Sequence, residues 1–557
     1  MKYASLLLLL FSMGVFAQHN NSLQKLGKDF FDWRKLEQPI TGDDVPRIER
    51  PDGWIADYSP KALKKYENDY IVFSKRLKNL SKENWTIADS VDYLLLRSAI
   101  ARVNWELNIL KLPERDPDFY VHQSAGSVYE LLVVSSPMNS IREMNIILRV
   151  NSIPLILKYA ELNLNKPIAS FTDIALEDMD NIHVNLFKTE LALEKIFPSS
   201  LHNELKTSFN NAELAFDNFS AWLRSKRSRM SDNYSVGSEN FKYFLKNIAI
   251  IPYTPDQLLE IGKDEFNRAV SFDQYQSSLD KELPKPKLFS NVDEQIKEAA
   301  IDEIAIRKFL VEKNIMSVPA WVKHYKNEKI PDYVAPLSGL GEDDDFTSPS
   351  RLSENCIRYI SNPSPNLSFF NLASAEDPRP IIIHEGVPGH YFQLVQSWKN
   401  SDPIRRHYFD SGANEGIGFY LEELMLQFGL FDNSPNTKEI IYRFMRLRAL
   451  RVEADINLAL REFTIKDAAK YLAKTVPMNY KSAIGEAKFF AQTPGQGMSY
   501  QIGKIQILKF LSDASLKLGD KFNLKDFHDY LLQNGNVPIA LLRWEYLGLN
   551  DEVKKLW

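Results

Sequence analysis

Apolar residues recur every three or four positions along most of this chain, and that rhythm limits the folds open to it. From Phe209 the series Ala212, Phe216, Phe219 and Leu223 lays one stripe along a helix. The same spacing runs through 86–110, 172–196, 293–313 and 436–461. Thr254-Pro255-Asp256-Gln257 supplies a helix start, because Thr254 can cap, Pro255 suits the first helical position and Gln257 can close a capping box. Strand signals are confined to 315–322 and 380–383, and no repeat of fixed period argues for a solenoid. The expectation is a mainly α protein with one small β element.

Composition narrows the function classes. With 557 residues, 44% hydrophobic and 25% charged, the chain is neither collagen-like nor disordered. Lys plus Arg is 68 against 73 for Asp plus Glu, a net charge of −5, so nucleic acid is not an expected partner. Cys356 is the only cysteine, which excludes intramolecular disulfides and a Cys-rich zinc site. It reads as a buried small hydrophobe, and any tight metal site must use histidines and carboxylates.

Residues 1–17 read as a signal peptide. Lys2 gives the positive start, an apolar run reaches Val15, and Val15-Phe16-Ala17 places the cut before Gln18. No cysteine stands at the cut to carry a lipid, and no later stretch approaches the ~20 apolar residues of a membrane span. The chain is therefore expected to be exported and soluble, in the periplasm or outside the cell. Two stretches break the helical pattern. Residues 276–292 read as a surface connection, and 331–353 as a loop whose acidic run Glu342–Asp345 lacks the spacing of a calcium loop and should be solvated. A soft boundary near 285 separates an N-terminal helical region (18–285) from a region holding the chemistry (286–557), the two forming one continuous body.

The chemistry centres on His384-Glu385-Gly386-Val387-Pro388-Gly389-His390. In zinc hydrolases two histidines hold the metal, and a glutamate following the first activates water. The usual interval of four residues puts both imidazoles on one helix face; here it is six. Six steps turn a regular helix by about 600°, leaving His390 about 120° around the axis. Pro388 and Gly389 offer the remedy, since the chain can bend there and bring His390 back. Glu415, twenty-five residues after His390 at the opening of a second helical pattern, is the candidate third ligand, and small Gly416 suits its close approach. Glu422 lies seven residues on, on the same face, as a partner for a histidine, whereas Glu423 reads as solvated. His19, His122, His183, His202, His324, His407 and His528 have no ligand-spaced companion and read as structural or surface residues.

These residues resemble the bacterial family called domain of unknown function eight-eight-five. Its His-Glu-x-x-Pro-Gly-His motif is matched at His384, Glu385, Pro388, Gly389 and His390. Its Glu-Gly-Trp-Ala-x-Tyr-x-Glu block is matched at Glu415, Gly416, Tyr420 and Glu422, with Ile417 and Gly418 replacing Trp and Ala. A third block, Gln-x-x-Ser-Tyr-x-x-Gly, stands at Gln496, Ser499, Tyr500 and Gly503, and Phe527-His528-Asp529 with Gly535 and Pro538 is also similar. One departure stands out: Arg451 and Asp455 are kept, but Ala459 replaces the family's usual histidine. The resemblance implies a large helical zincin-like fold, with the β element near the metal, and a layout like that of thermostable carboxypeptidases. It implies one Zn2+ per chain on His384, His390 and Glu415, with Glu385 as general base and Tyr500 as the donor to the substrate carbonyl. Tyr500 has an equal reading as a core aromatic. Gln496 is placed beside the site. Arg451 either clasps a substrate carboxylate or pairs with Asp455 at helical spacing, and the pair is favoured. The implied function is a secreted zinc peptidase acting on short peptides. The alternatives are a zinc hydrolase of another amide or ester, and a non-catalytic helical envelope binding protein with a degenerate site.

Overall fold

The computed structural model of the chain describes residues 21–40, 48–284, 286–476 and 478–557. The signal peptide and the cut before Gln18 lie outside them. Helices dominate from Asn21 to Leu556, and the only sheet among the described residues has three short strands. The Phe209 stripe belongs to the helix His202–Lys226, where Phe209, Ala212, Phe216, Phe219 and Leu223 all face the core. Thr254 and Gln257 form the expected reciprocal cap on the helix Pro255–Leu279. The pattern at 172–196 is two helices, Ala169–Met179 and Ile182–Glu194. The pattern at 86–110 is the helix Ile87–Asn104 continued by a wide turn over Trp105–Leu110. The surface connection is shorter than expected, because its first four residues finish the helix ending at Leu279. Helices Pro435–Leu460 and Ser411–Gln427 form the frame of the site, packed respectively against Pro255–Leu279 and Gln496–Leu518.

Both expected strands are absent. Residues 315–322 are irregular, and the strand β1 starts later, at Tyr325–Lys329. Ile381, Ile382 and Ile383 are helical. All three are buried, and a short run that is apolar on every side shows no period with which to separate strand from helix. β1 pairs in parallel with β3 (Cys356–Ile360), and β2 (Asp344–Asp345) joins the other edge of β3 antiparallel. Cys356 is fully buried and in no disulfide, as read from the sequence.

Only half of the acidic run is solvated: Glu342 is exposed and Asp343 half-buried, but the last two residues are not. Asp344 and Asp345 are buried because each has cationic or hydroxyl partners: Arg358 and Tyr325 on Asp344, and the two arms of Arg351 on Asp345. The sheet also touches the site, since a Cβ on Gly386 would fall 2.5 Å from the Tyr325 ring. The largest apolar cluster runs from Leu23 to Leu556 and so takes residues from both sides of 285.

Candidate metal centre

The six-residue interval is bridged by a break in the helix rather than by a bend. A wide helical turn, Ile382–Gly386, presents His384 and Glu385; the backbone then becomes extended at Val387, and a new helix starts at His390. Gly389 is required at the junction, because a Cβ there would lie 1.9 Å from the His384 carbonyl oxygen. The imidazoles come together with ring centroids 4.6 Å apart. Glu415 projects between them from the helix Ser411–Gln427, whose start is capped by Asp410 accepting from the Ala413 N–H. Its Oε2 lies 3.3 Å from His384 Nε2 and 3.2 Å from His390 Nε2. Gly416 serves a different purpose from the one expected. It lets two helix backbones touch, because a Cβ there would meet the Gly503 Cα at 2.6 Å.

The outer nitrogens of both rings are held. His384 Nδ1 lies 2.8 Å from Glu422 Oε1, and Arg448 bonds the other oxygen of Glu422 at 2.5 Å. Glu422 thus takes the histidine-partner place expected of it. His390 Nδ1 lies 2.8 Å from the Asn414 amide. With the amide oxygen turned toward Nδ1, the buried Asn414 oxygen gains a partner and Nε2 is left free to ligate. Arg448 and Asn414 were not singled out from the sequence; an arginine inside a helix and an asparagine near a cap carry no sign of which ring they will meet.

Charge balance at the centre is set by these contacts. Burial and Arg448 both oppose a charged His384, but Glu415 and Glu422 outweigh them and push its pKa up to about 9. Burial likewise opposes the Glu415 carboxylate, and His390 and His384 more than compensate, holding it well below the usual range. Tyr500 stacks nearly parallel to His384 with centroids 6.1 Å apart. Burial and the neighbouring Glu415 keep its hydroxyl protonated against the opposing pull of Arg451 and Arg448. Glu385 stands at the edge of the group, 3.9 Å from His390 Nε2.

The donor set fits zinc. A tetrahedral ion with bonds near 2.05 Å has ligand–ligand edges of about 3.3 Å, and the two Glu415–imidazole distances are 3.3 and 3.2 Å. All three donor atoms lie within 4.8 Å of one another.

Other expected site residues are placed differently. Arg451 does not pair with Asp455; it reaches across to the helix Tyr480–Gln492 and grips both oxygens of Glu486 at 2.6 Å. Asp455 instead accepts the Gly495 and Met498 N–H groups at 2.9 Å, capping the helix Gln496–Leu518 from outside. That cap fixes Gln496, whose Nε2 faces Glu415 Oε1 at 3.5 Å while Ser411 donates to its other end. Glu423 is not solvated, since Arg268 and buried Lys504 both pair with it. Ala459 lies eleven residues beyond Arg448 on the same helix, about 16 Å further along, in an apolar cluster with Phe241 and Ile502. His528 is structural, bonded to Tyr420 and to the Ile315 carbonyl. His122 departs from its reading, because Asp118 and Asp178 stand beside it. A cavity of about 180 Å³ has walls including Trp105, Phe119, Phe244, Ser411 and Gln496.

Two solved structures share this fold. A "putative lipoprotein of unknown function from Shewanella oneidensis" is 18% identical, with a TM-score of 0.73 over 95% of this chain and 100% of that one. A "putative lipoprotein from Colwellia psychrerythraea" is 16% identical, with a TM-score of 0.72 over 94% and 97%. No curated protein matches the chain. Residues 41–545 match the family described as "Bacterial protein of unknown function (DUF885)". With that match covering most of its length, the chain belongs to this family.

Proposed function

We propose that this protein is an exported zinc-dependent hydrolase with a zincin-like centre, acting on short peptides. The observation carrying the reading is the convergence of His384 Nε2 and His390 Nε2 on Glu415 Oε2 at tetrahedral-edge distances, with Glu385 beside them. Two imidazoles and one carboxylate would hold the ion and leave a coordination position open. When bound, zinc supplies Lewis acidity to a carbonyl or to water. The chain's own residues do the rest. Glu385 accepts a proton from the attacking water and returns it to the leaving amine. The Tyr500 hydroxyl, kept protonated, donates to the carbonyl oxygen as negative charge gathers there. Glu422 and Arg448 hold the His384 ring in place. The cavity that has Gln496 in its wall offers apolar sides at Trp105, Phe119 and Phe244, which suits a substrate with an apolar group beyond the centre.

The test is to load the purified mature chain with zinc and offer it pooled peptides, simple amides and esters, with mass spectrometry as the readout. Peptide cleavage that disappears on chelation and in Glu385→Gln supports the reading. Cleavage confined to esters or non-peptide amides would move the substrate class. Full zinc occupancy with no turnover of any of them would overturn the hydrolase reading.

A further inference from the structure

A second group of metal-ligating side chains stands apart from the centre at His384. Asp118, His122 and Asp178 offer donor atoms that all lie within 4.8 Å of one another. Asp118 and His122 are four residues apart in the continuous helical stretch formed by Pro117–Val121 and His122–Gly126, which puts them on one face. Asp178 comes from the helix Ala169–Met179, packed against that stretch.

The state of Asp118 points to a missing ligand. Its side chain is 4% exposed. Oδ2 accepts from Gln492 Nε2 at 2.9 Å and faces His122 Nε2 at 3.5 Å. Oδ1 is buried and no nitrogen or hydroxyl donates to it, the Asp178 carboxyl being the acid that meets Asp118 by hydrogen bond. Leaving a buried carboxylate oxygen without a donor is costly, so such an atom calls for a cation or a proton. Asp116, also buried, shares the Gln492 amide and adds a further carboxylate. Among the described residues no lysine or arginine pairs with Asp118 or Asp178; of the two cations that act on Asp178 through space, His122 belongs to the group itself and Lys488 pairs with Glu177. Asp178 is exposed, which gives an ion a route from solvent.

We propose that Asp118, His122 and Asp178 hold a divalent cation of the first transition row, Mn2+ or Zn2+. One imidazole with two carboxylates suits these ions better than Ca2+ or Mg2+, which favour all-oxygen sites. A carboxylate oxygen of Asp118 becomes a ligand, and the ion offsets the negative charge that Asp116, Asp118 and Asp178 gather there. The site also bears on the cavity, because Asp118, His122 and Gln492 all line it. Gln492 leads within four residues to Gln496 at Glu415.

The experiment strips the mature full-length chain with chelator, re-equilibrates it with Mn2+, and counts bound ions by elemental analysis and electron paramagnetic resonance. His390→Ala empties the other centre and should leave one ion per chain. His390→Ala with Asp178→Asn, a near-isosteric change at an exposed position, should leave none, and Asp178→Asn alone should lose one. If His390→Ala leaves no ion, or if Asp178→Asn and His122→Gln bind as much as the parent chain, the proposal is wrong. Wild type and His390→Ala holding one ion each, with Asp178→Asn holding none, would support this site while removing the reading of the His384 centre.

Discussion

Glu385 and Glu415 are both carboxylates within 4 Å of His390 Nε2, yet their amides should fail in different ways. Glu385→Gln removes a proton acceptor and should keep its zinc while hydrolysis falls by about a hundredfold or more. Glu415→Gln removes a ligand charge, so zinc affinity itself should fall. Metal content and turnover measured on the same preparations separate the two. Glu422→Gln should weaken zinc by about ten- to a hundredfold through the His384 ring it orients. The metal-free centre also has a pH signature. His384 has its pKa raised from 6.5 to about 9, so its contribution to stability is complete below 6.5 and fades as pH rises through 9. Zinc needs the neutral ring, so its affinity should climb over the same window. Melting temperatures taken with chelator and with zinc should therefore diverge from pH 6.5 to 9. The meeting of His384, His390, Glu415 and Glu422 was legible because metal chemistry restricts residue type and spacing together. The partners of Arg451 and Asp455 were not, because long-range packing overrode a local spacing that allowed them to meet.

At the scale of elements, the site depends on a close crossing between Ser411–Gln427 and Gln496–Leu518. A Cβ on Gly503 would stand 1.9 Å from the Gly412 carbonyl oxygen. Gly503→Ala must push the helices apart and should cost about 1–3 kcal/mol, seen as a lowered melting temperature in calorimetry. It should also loosen zinc, because Glu415 rides on one of the two helices. Long helices were legible because their stripes repeat over several turns, as at Phe209–Leu223. The strands were not. β1 contains three charged residues among its five, and β2 is two aspartates, so neither carries an apolar signature. Tyr325 keeps Asp344 inside, and Arg351, six residues on, together with the distant Ser135 N–H keeps Asp345 inside, and no apolar pattern announces them.

For the whole molecule, the apolar cluster running from Leu23 to Leu556 predicts one cooperative unfolding transition rather than two. Calorimetry on the metal-free chain should give a single peak, and two resolved peaks would restore 285 as a domain boundary. Export makes a separate prediction: N-terminal sequencing of protein from the native envelope should begin at Gln18. Cys356 then has a practical consequence. It is the only thiol, it lies on the central strand of the sheet that meets the site through Tyr325, and it is fully buried. A thiol reagent can reach it only when that sheet opens, so its labelling rate is a stopwatch for local opening. Read with and without zinc, the same stopwatch reports how far an ion at His384 braces that strand.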